Sequence, residues 1–103
     1  MARRKRKSLG YNSEKHNALA SGAAQTAISE SKRAKRRAWM GQCGNAVWAL
    51  SQASEHLGES RAHALAVTEG ATDGARAYER AKSAVFDSTR KVVLACTGKR
   101  KKQ

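Results

Sequence analysis

Sixteen of the 21 Lys and Arg residues stand in three short blocks, and guanidinium and ammonium groups at that density are phosphate-binding chemistry. The first block is Arg3, Arg4, Lys5, Arg6 and Lys7, and the second is Lys32, Arg33, Lys35, Arg36 and Arg37. The third is Arg90 and Lys91 followed by Lys99, Arg100, Lys101 and Lys102. Residues 38–89 carry four bases against six acids, so the middle nets −2 while the whole chain reaches +13. A field concentrated in this way attracts phosphate polymers by counterion release, whatever their base sequence. The first two blocks and the run from Lys99 to Lys102 are the expected phosphate contacts.

Other chemistries find little support. His56 and His63 are seven residues apart and share a helix face, but metal ligands on one helix prefer closer spacing, and no pair of carboxylates or thiols joins them. The eight acids are scattered, several within a turn of a base as Glu79 is of Lys82, which is the pattern of surface helix pairs rather than of a general acid and base. Two cysteines make no disulfide framework, and Cys43 has no activating base in sequence, so it reads as a small apolar packing residue. The segment Gly41-Gln42-Cys43-Gly44-Asn45 lacks the spacing and the lysine of a phosphate-cradling loop. The expectation is a protein that is not an enzyme and uses no metal and no cofactor.

The aromatics add one candidate. Trp39 directly follows the second basic block and could stack on a nucleobase beside it. The competing and better supported reading makes Trp39 and Trp48 packing anchors for the turn between them, since five aromatics without an aromatic-basic repeat do not make a dedicated single-strand channel. The run Arg3 to Lys7 also has the composition of a nuclear localisation patch, a pattern common by chance.

Helices must position these groups. Residues 1–12 read as a basic N-terminal arm, 13–98 as a helical region and 99–103 as a basic tail. Asn12 or Ser13 can cap a first helix, with Glu14 favourable in its first turn. Small residues then recur in steps of three and four at Ala20, Ala23, Ala27, Ser31, Ala34, Ala38 and Gly41. At 100° per residue the second basic block covers an arc of roughly 200° on the opposite side, so one face packs and the other can grip phosphate. At 41–44 the pattern changes phase, to Cys43, Val47, Leu50, Ser54 and Leu57, which predicts a kink or turn with Asn45 as a cap. Gly70-Ala71-Thr72-Asp73 predicts a short connection, and a last helix follows with Ala75, Tyr78, Val85, Val92 and Cys96 on one seam beside Ala81, Phe86 and Val93.

The expected fold class is therefore all-α, two or three helices in an Ala-rich hairpin or small bundle with basic extended arms at both termini. Ala supplies 20 residues while Leu, Ile, Val and Phe together number 13 of 103, too few for a solitary large core. Good helix propensity and the absence of Pro make helices that need company, so a homo-oligomer or a larger assembly is expected. No stretch of about 18 apolar residues exists, which excludes a membrane span. The start has no apolar run behind its bases, so the expected location is cytoplasm, nucleoid or virion interior rather than export by a signal peptide. The function these readings favour is a structural protein that packages, coats or bridges DNA or RNA without reading sequence. The alternative is a helical assembly module, such as a capsid-associated, connector or scaffolding component, whose basic arms clasp acidic protein surfaces.

Overall fold

In a computed structural model, the described residues form three helices, α1 (Ala2–Trp39), α2 (Cys43–Ala66) and α3 (Asp73–Lys102). The structure describes residues 2–67 and 73–102, with side chains described for 14–67 and 73–97. Gly70, Ala71 and Thr72, expected to make the second connection, lie outside the described residues, and Asp73 opens α3 as the acid of its first turn. The helix bounds take in residues 2–12 and 99–102 as helix backbone, where the sequence suggested separate extended arms starting or ending at the caps.

Alanine and serine form the contact surface. The buried residues of α1 are Ala20, Ala24, Ala27, Ser31, Ala34 and Ala38, in steps of four and three, the spacing that keeps one stripe facing a partner helix. Ala46, Ala49, Ala53 and Ser60 answer from α2, and Ala77, Ala81, Val85, Ser88 and Val92 from α3. The largest fully buried side chains are the serines Ser31, Ser60 and Ser88. Side chains this small let helix axes approach toward the short end of the usual spacing of roughly 8 to 10 Å. Hydroxyls are tolerable there because a helical serine can bond to backbone: Ser31 Oγ donates to the Ile28 carbonyl at 2.8 Å and Ser60 Oγ to the Ala20 carbonyl at 2.8 Å.

The seam differs in detail from the sequence expectation. In α1 Ala24, not Ala23, is fully buried, and in α2 the buried stripe runs through Ala46, Ala49 and Ala53 while Val47 is 60% exposed. In α3 Phe86 and Val93 face outward. A larger apolar residue is the usual guide to a core face, but here close approach favours small residues, with Val85 and Val92 the larger ones it admits from α3, and leaves Val47, Phe86 and Val93 at the rim.

Cross-helix contacts fix an up-down-up order. Ser60 of α2 reaches Ala20 of α1, and His16 Nδ1 lies 3.1 Å from His63 Nδ1, so α1 and α2 are antiparallel. The Gly74 amide donates to Asn17 Oδ1 at 3.0 Å at one end, and Ala34 and Ala38 cluster with Val92 at the other, so α1 and α3 run parallel. The bundle is long and narrow, 70 × 18 × 14 Å.

The turn between α1 and α2 is a chain reversal set by Gly41, whose φ of 83° is in the left-handed region. The Gln42 amide bonds to the Arg37 carbonyl at 2.8 Å and the Gly41 amide to the Ala38 carbonyl at 3.0 Å, the paired bonds of a Schellman stop. Asn45 does not cap α2; the cap position is Gln42, whose side chain makes no hydrogen bond to the first-turn amides.

The cysteines also depart from expectation. Cys43 at the start of α2 and Cys96 near the end of α3 form a disulfide, with Cα atoms 6.0 Å apart. Their spacing of 53 residues carried no signal in the sequence, because the pairing arises only once α2 and α3 lie antiparallel.

Candidate nucleic-acid interface

The central basic block occupies the solvent face of α1 because the Ala stripe takes the other. Ser31, Ala34 and Ala38 are buried, so the opposite arc of the helix points away, and Lys32, Arg33 and Arg36 on it are exposed. Lys35 and Arg37 are half-buried at the two borders of this strip. Lys35 leans toward α3 and its ammonium lies 3.9 Å from Asp87. Arg37 leans toward the turn and donates from its guanidinium to Gln42 Oε1 at 3.2 Å.

Parallel packing of α1 and α3 brings a second set of bases to the same end. Lys91 lies 3.3 Å from the same Asp87 carboxylate that Lys35 approaches, so the central block and the start of the third block meet across the α1–α3 groove. Arg90 is exposed on the same stretch of α3. Side chains from Arg3 to Lys7 and from Lys99 to Lys102 lie outside the described residues; by backbone the first set belongs to the opposite end of α1 and the second continues α3 beyond Cys96.

Acids partly offset the strip without neutralising it. Glu30 is largely covered, one of its oxygens has no hydrogen bond, and Arg33 lies 3.8 Å from that oxygen. Lys32 and Arg36 make no ion pair among the described residues, leaving both charges available to solvent and to polyanions.

Two indoles lie at this end of the bundle, and neither anchors the core as the sequence suggested. Trp39 is 84% exposed and Trp48 is 58% exposed; Ala38, Ala46 and Ala49 make the packing at this end instead. Trp39 lines a cleft with Lys35, Lys91, Leu94 and Ala95, on the α3 side of the strip. Trp48 stands eleven residues before Glu59, three turns along one flank of α2. Glu59, with His56 and His63, lines a cleft against Leu19, Ala23 and Thr26 of α1, so the flank bearing Trp48 faces α1 from the other side.

No family model, no curated protein and no solved structure matches this chain. What it can do has therefore to be read from its own residues.

The remaining chemistry is sparse. His63 pairs with His16 across the α1–α2 groove rather than with His56, whose Nδ1 lies 2.9 Å from Glu59 Oε1. In the His16–His63 contact one Nδ1 must carry the hydrogen that the other accepts. Among the described residues no group of three or more His, Cys, Asp or Glu side chains is placed to hold a metal ion. No described helix is long and apolar enough to cross a membrane.

Sequence reasoning missed Trp48, Lys91 and Asp87 as parts of this end. A signal for Trp48 existed: Ala46, Ala49 and Ala53 already define a small-residue stripe in α2 like that of α1, which turns Trp48 outward. The meeting of Lys35 and Lys91 had no signal, since it depends on α1 and α3 being parallel.

Proposed function

We propose that this chain is a non-enzymatic structural protein that binds DNA or RNA without sequence specificity, coating, packaging or bridging it. The observation that carries this reading is the exposed strip Lys32, Arg33 and Arg36, joined at the α1–α3 groove by Lys35 and Lys91 around one carboxylate. Bases on the outward face of a rigid helix can meet a row of phosphates with little loss of backbone entropy, and they carry no sequence information. Arg3 to Lys7 and Lys99 to Lys102 would extend the same contact along the polymer. The +13 charge favours association with any polyanion and opposes self-aggregation. A disulfide suits a component of a particle that spends time outside reducing cytosol.

Equilibrium binding to random-sequence duplex and to RNA over a range of salt tests the proposal. If about six phosphates are engaged, affinity falls about a thousandfold between 50 and 200 mM salt, for every sequence alike. Weak binding with a flat salt response overturns it.

A second reading has its own support. Val47 of α2 and Phe86 and Val93 of α3 are 60%, 63% and 51% exposed, and the Cys43–Cys96 bond joins the two helices that carry them. Bulky apolar groups left outside an alanine core suit burial in an assembly, as a capsid-associated or scaffolding component or a homo-oligomer would provide. Sedimentation of the protein with and without a nonspecific oligonucleotide separates the two: mass that grows only with the oligonucleotide supports the first, and a defined oligomer without it the second.

A further inference from the structure

We infer that the strip at the C-terminal end of α1 is built for single-stranded nucleic acid, with Trp39 and Trp48 as stacking platforms on either side of the phosphate-binding bases. The inference rests on the nucleic-acid reading above and assigns the strand class that this site takes.

Both tryptophans stand outside a core that has no use for them. A Trp 84% exposed and another 58% exposed keep most of their ring area in water, a costly arrangement for the largest apolar side chain unless a ligand covers it. Trp39 lies beside bases, and helical spacing sets Trp48 on the other flank. Trp39 shares its cleft with Lys35 and Lys91; Trp48 stands three turns before Glu59, which lines a cleft with Ala23 and Thr26 of α1, and Arg33 and Arg37 continue the helical spacing of those two α1 residues. One helix diameter, about 10 to 12 Å, separates the two flanks. A backbone laid along Lys32, Arg33 and Arg36 can therefore turn a base toward each indole within a few nucleotides.

Duplex cannot use such platforms. Its base faces are already stacked, and reaching them costs unstacking energy at every step. A single strand has free faces, and every base has one, so stacking adds affinity without sequence preference. Charge complementarity also decides against a second copy of the chain on this strip, because two strips of like charge would face each other.

The test uses full-length, disulfide-bonded protein, a 20-nucleotide oligothymidine, a duplex of the same length and intrinsic tryptophan fluorescence, with W39A, W48A, W39F and W48F as variants. Oligothymidine is expected to quench the fluorescence and to bind at least tenfold more tightly than duplex at 150 mM salt. Each Trp→Ala change should weaken single-strand binding about tenfold. The Phe variants should recover most of that loss, and the salt slope should not change, since every phosphate-binding base is retained. Far-UV circular dichroism should be unaltered because neither ring packs in the core. Equal, steeply salt-dependent binding of both nucleic acids with no effect of W39A or W48A overturns the inference while leaving the phosphate-binding reading intact. No binding to either nucleic acid removes that reading as well. A blue-shifted emission on anionic phosphatidylglycerol vesicles, without quenching by oligothymidine, would assign the indoles to lipid and also overturns the inference.

Discussion

Cys43 in the first turn of α2 is bonded to Cys96 near the end of α3, and this bond ties the two helices at the end where the basic strip lies. α1 packs on both of the other helices through its Ala stripe, whereas α2 and α3 meet along a more open side with Val47, Phe86 and Val93 exposed. The covalent link holds the side where packing is thinnest. Closing a loop of 53 residues removes enough freedom from the unfolded chain to stabilise the fold by about 4 kcal/mol in the chain-entropy model.

Reduction, or the C43S/C96S pair, should therefore lower the melting temperature by roughly 20 °C for a domain of this size. Thermal denaturation followed by circular dichroism with and without reductant checks this. An unchanged midpoint would show that the link adds nothing to the alanine packing.

The alanine seam reverses the usual ranking of substitutions. Ala34→Leu or Ala53→Leu inserts a branched side chain where both positions are fully buried, and should cost about 1 to 3 kcal/mol or more. Phe86→Ala, on a ring 63% exposed, should cost less than about 1 kcal/mol. Urea unfolding of the three variants decides it, and a larger loss for the Phe86 variant would contradict the packing described.

Glycines separate by environment in the same way. A Cβ on Gly74 would lie 2.6 Å from Asn17 Oδ1 and 3.1 Å from the Asn17 Cα, so Gly74→Ala should break the Asn17 bond to the α3 amide and destabilise the bundle. Gly41→Ala should cost about 1 kcal/mol, because its positive φ stops α1. Gly22→Ala and Gly58→Ala meet nothing within 4 Å and should each stabilise by about 0.5 to 1 kcal/mol. Melting temperatures of the four variants should fall into these two groups.

Helix content, the packing stripe of α1, the reversal near 41–44 and the outward direction of Lys32 to Arg37 all follow from local spacing, and local spacing is what a sequence displays. In α2 the rule that larger apolar residues mark the core failed, since Ala49 and Ala53 are buried while Val47 and Trp48 are not; in α3 it held for Val85 and Val92 and failed for Phe86 and Val93. Pairings of distant residues had no local trace: Cys43 with Cys96, His16 with His63, and Lys35 with Lys91 around Asp87 depend on helix order and direction.

Glu30 gives a test of electrostatics beneath the strip. Its carboxylate lies beside Arg33, and one of its oxygens is buried without a hydrogen bond. Glu30→Gln removes a negative charge under the proposed interface while keeping the shape. Oligonucleotide affinity at low salt should rise a few-fold, with the gain shrinking as salt screens it. An affinity that falls would place the polyanion elsewhere.

The most direct test of the central claim compares salt slopes. Binding of a random-sequence oligonucleotide by the native chain and by a variant with Lys32, Arg33, Arg36 and Arg37 changed to Gln should be measured between 50 and 200 mM salt. If these groups hold phosphates, the variant's slope of log affinity against log salt should be smaller by about 0.7 (single strands) to 0.9 (duplex) per phosphate no longer neutralised. An identical slope and affinity in the two proteins would contradict a phosphate-binding role for this face of α1.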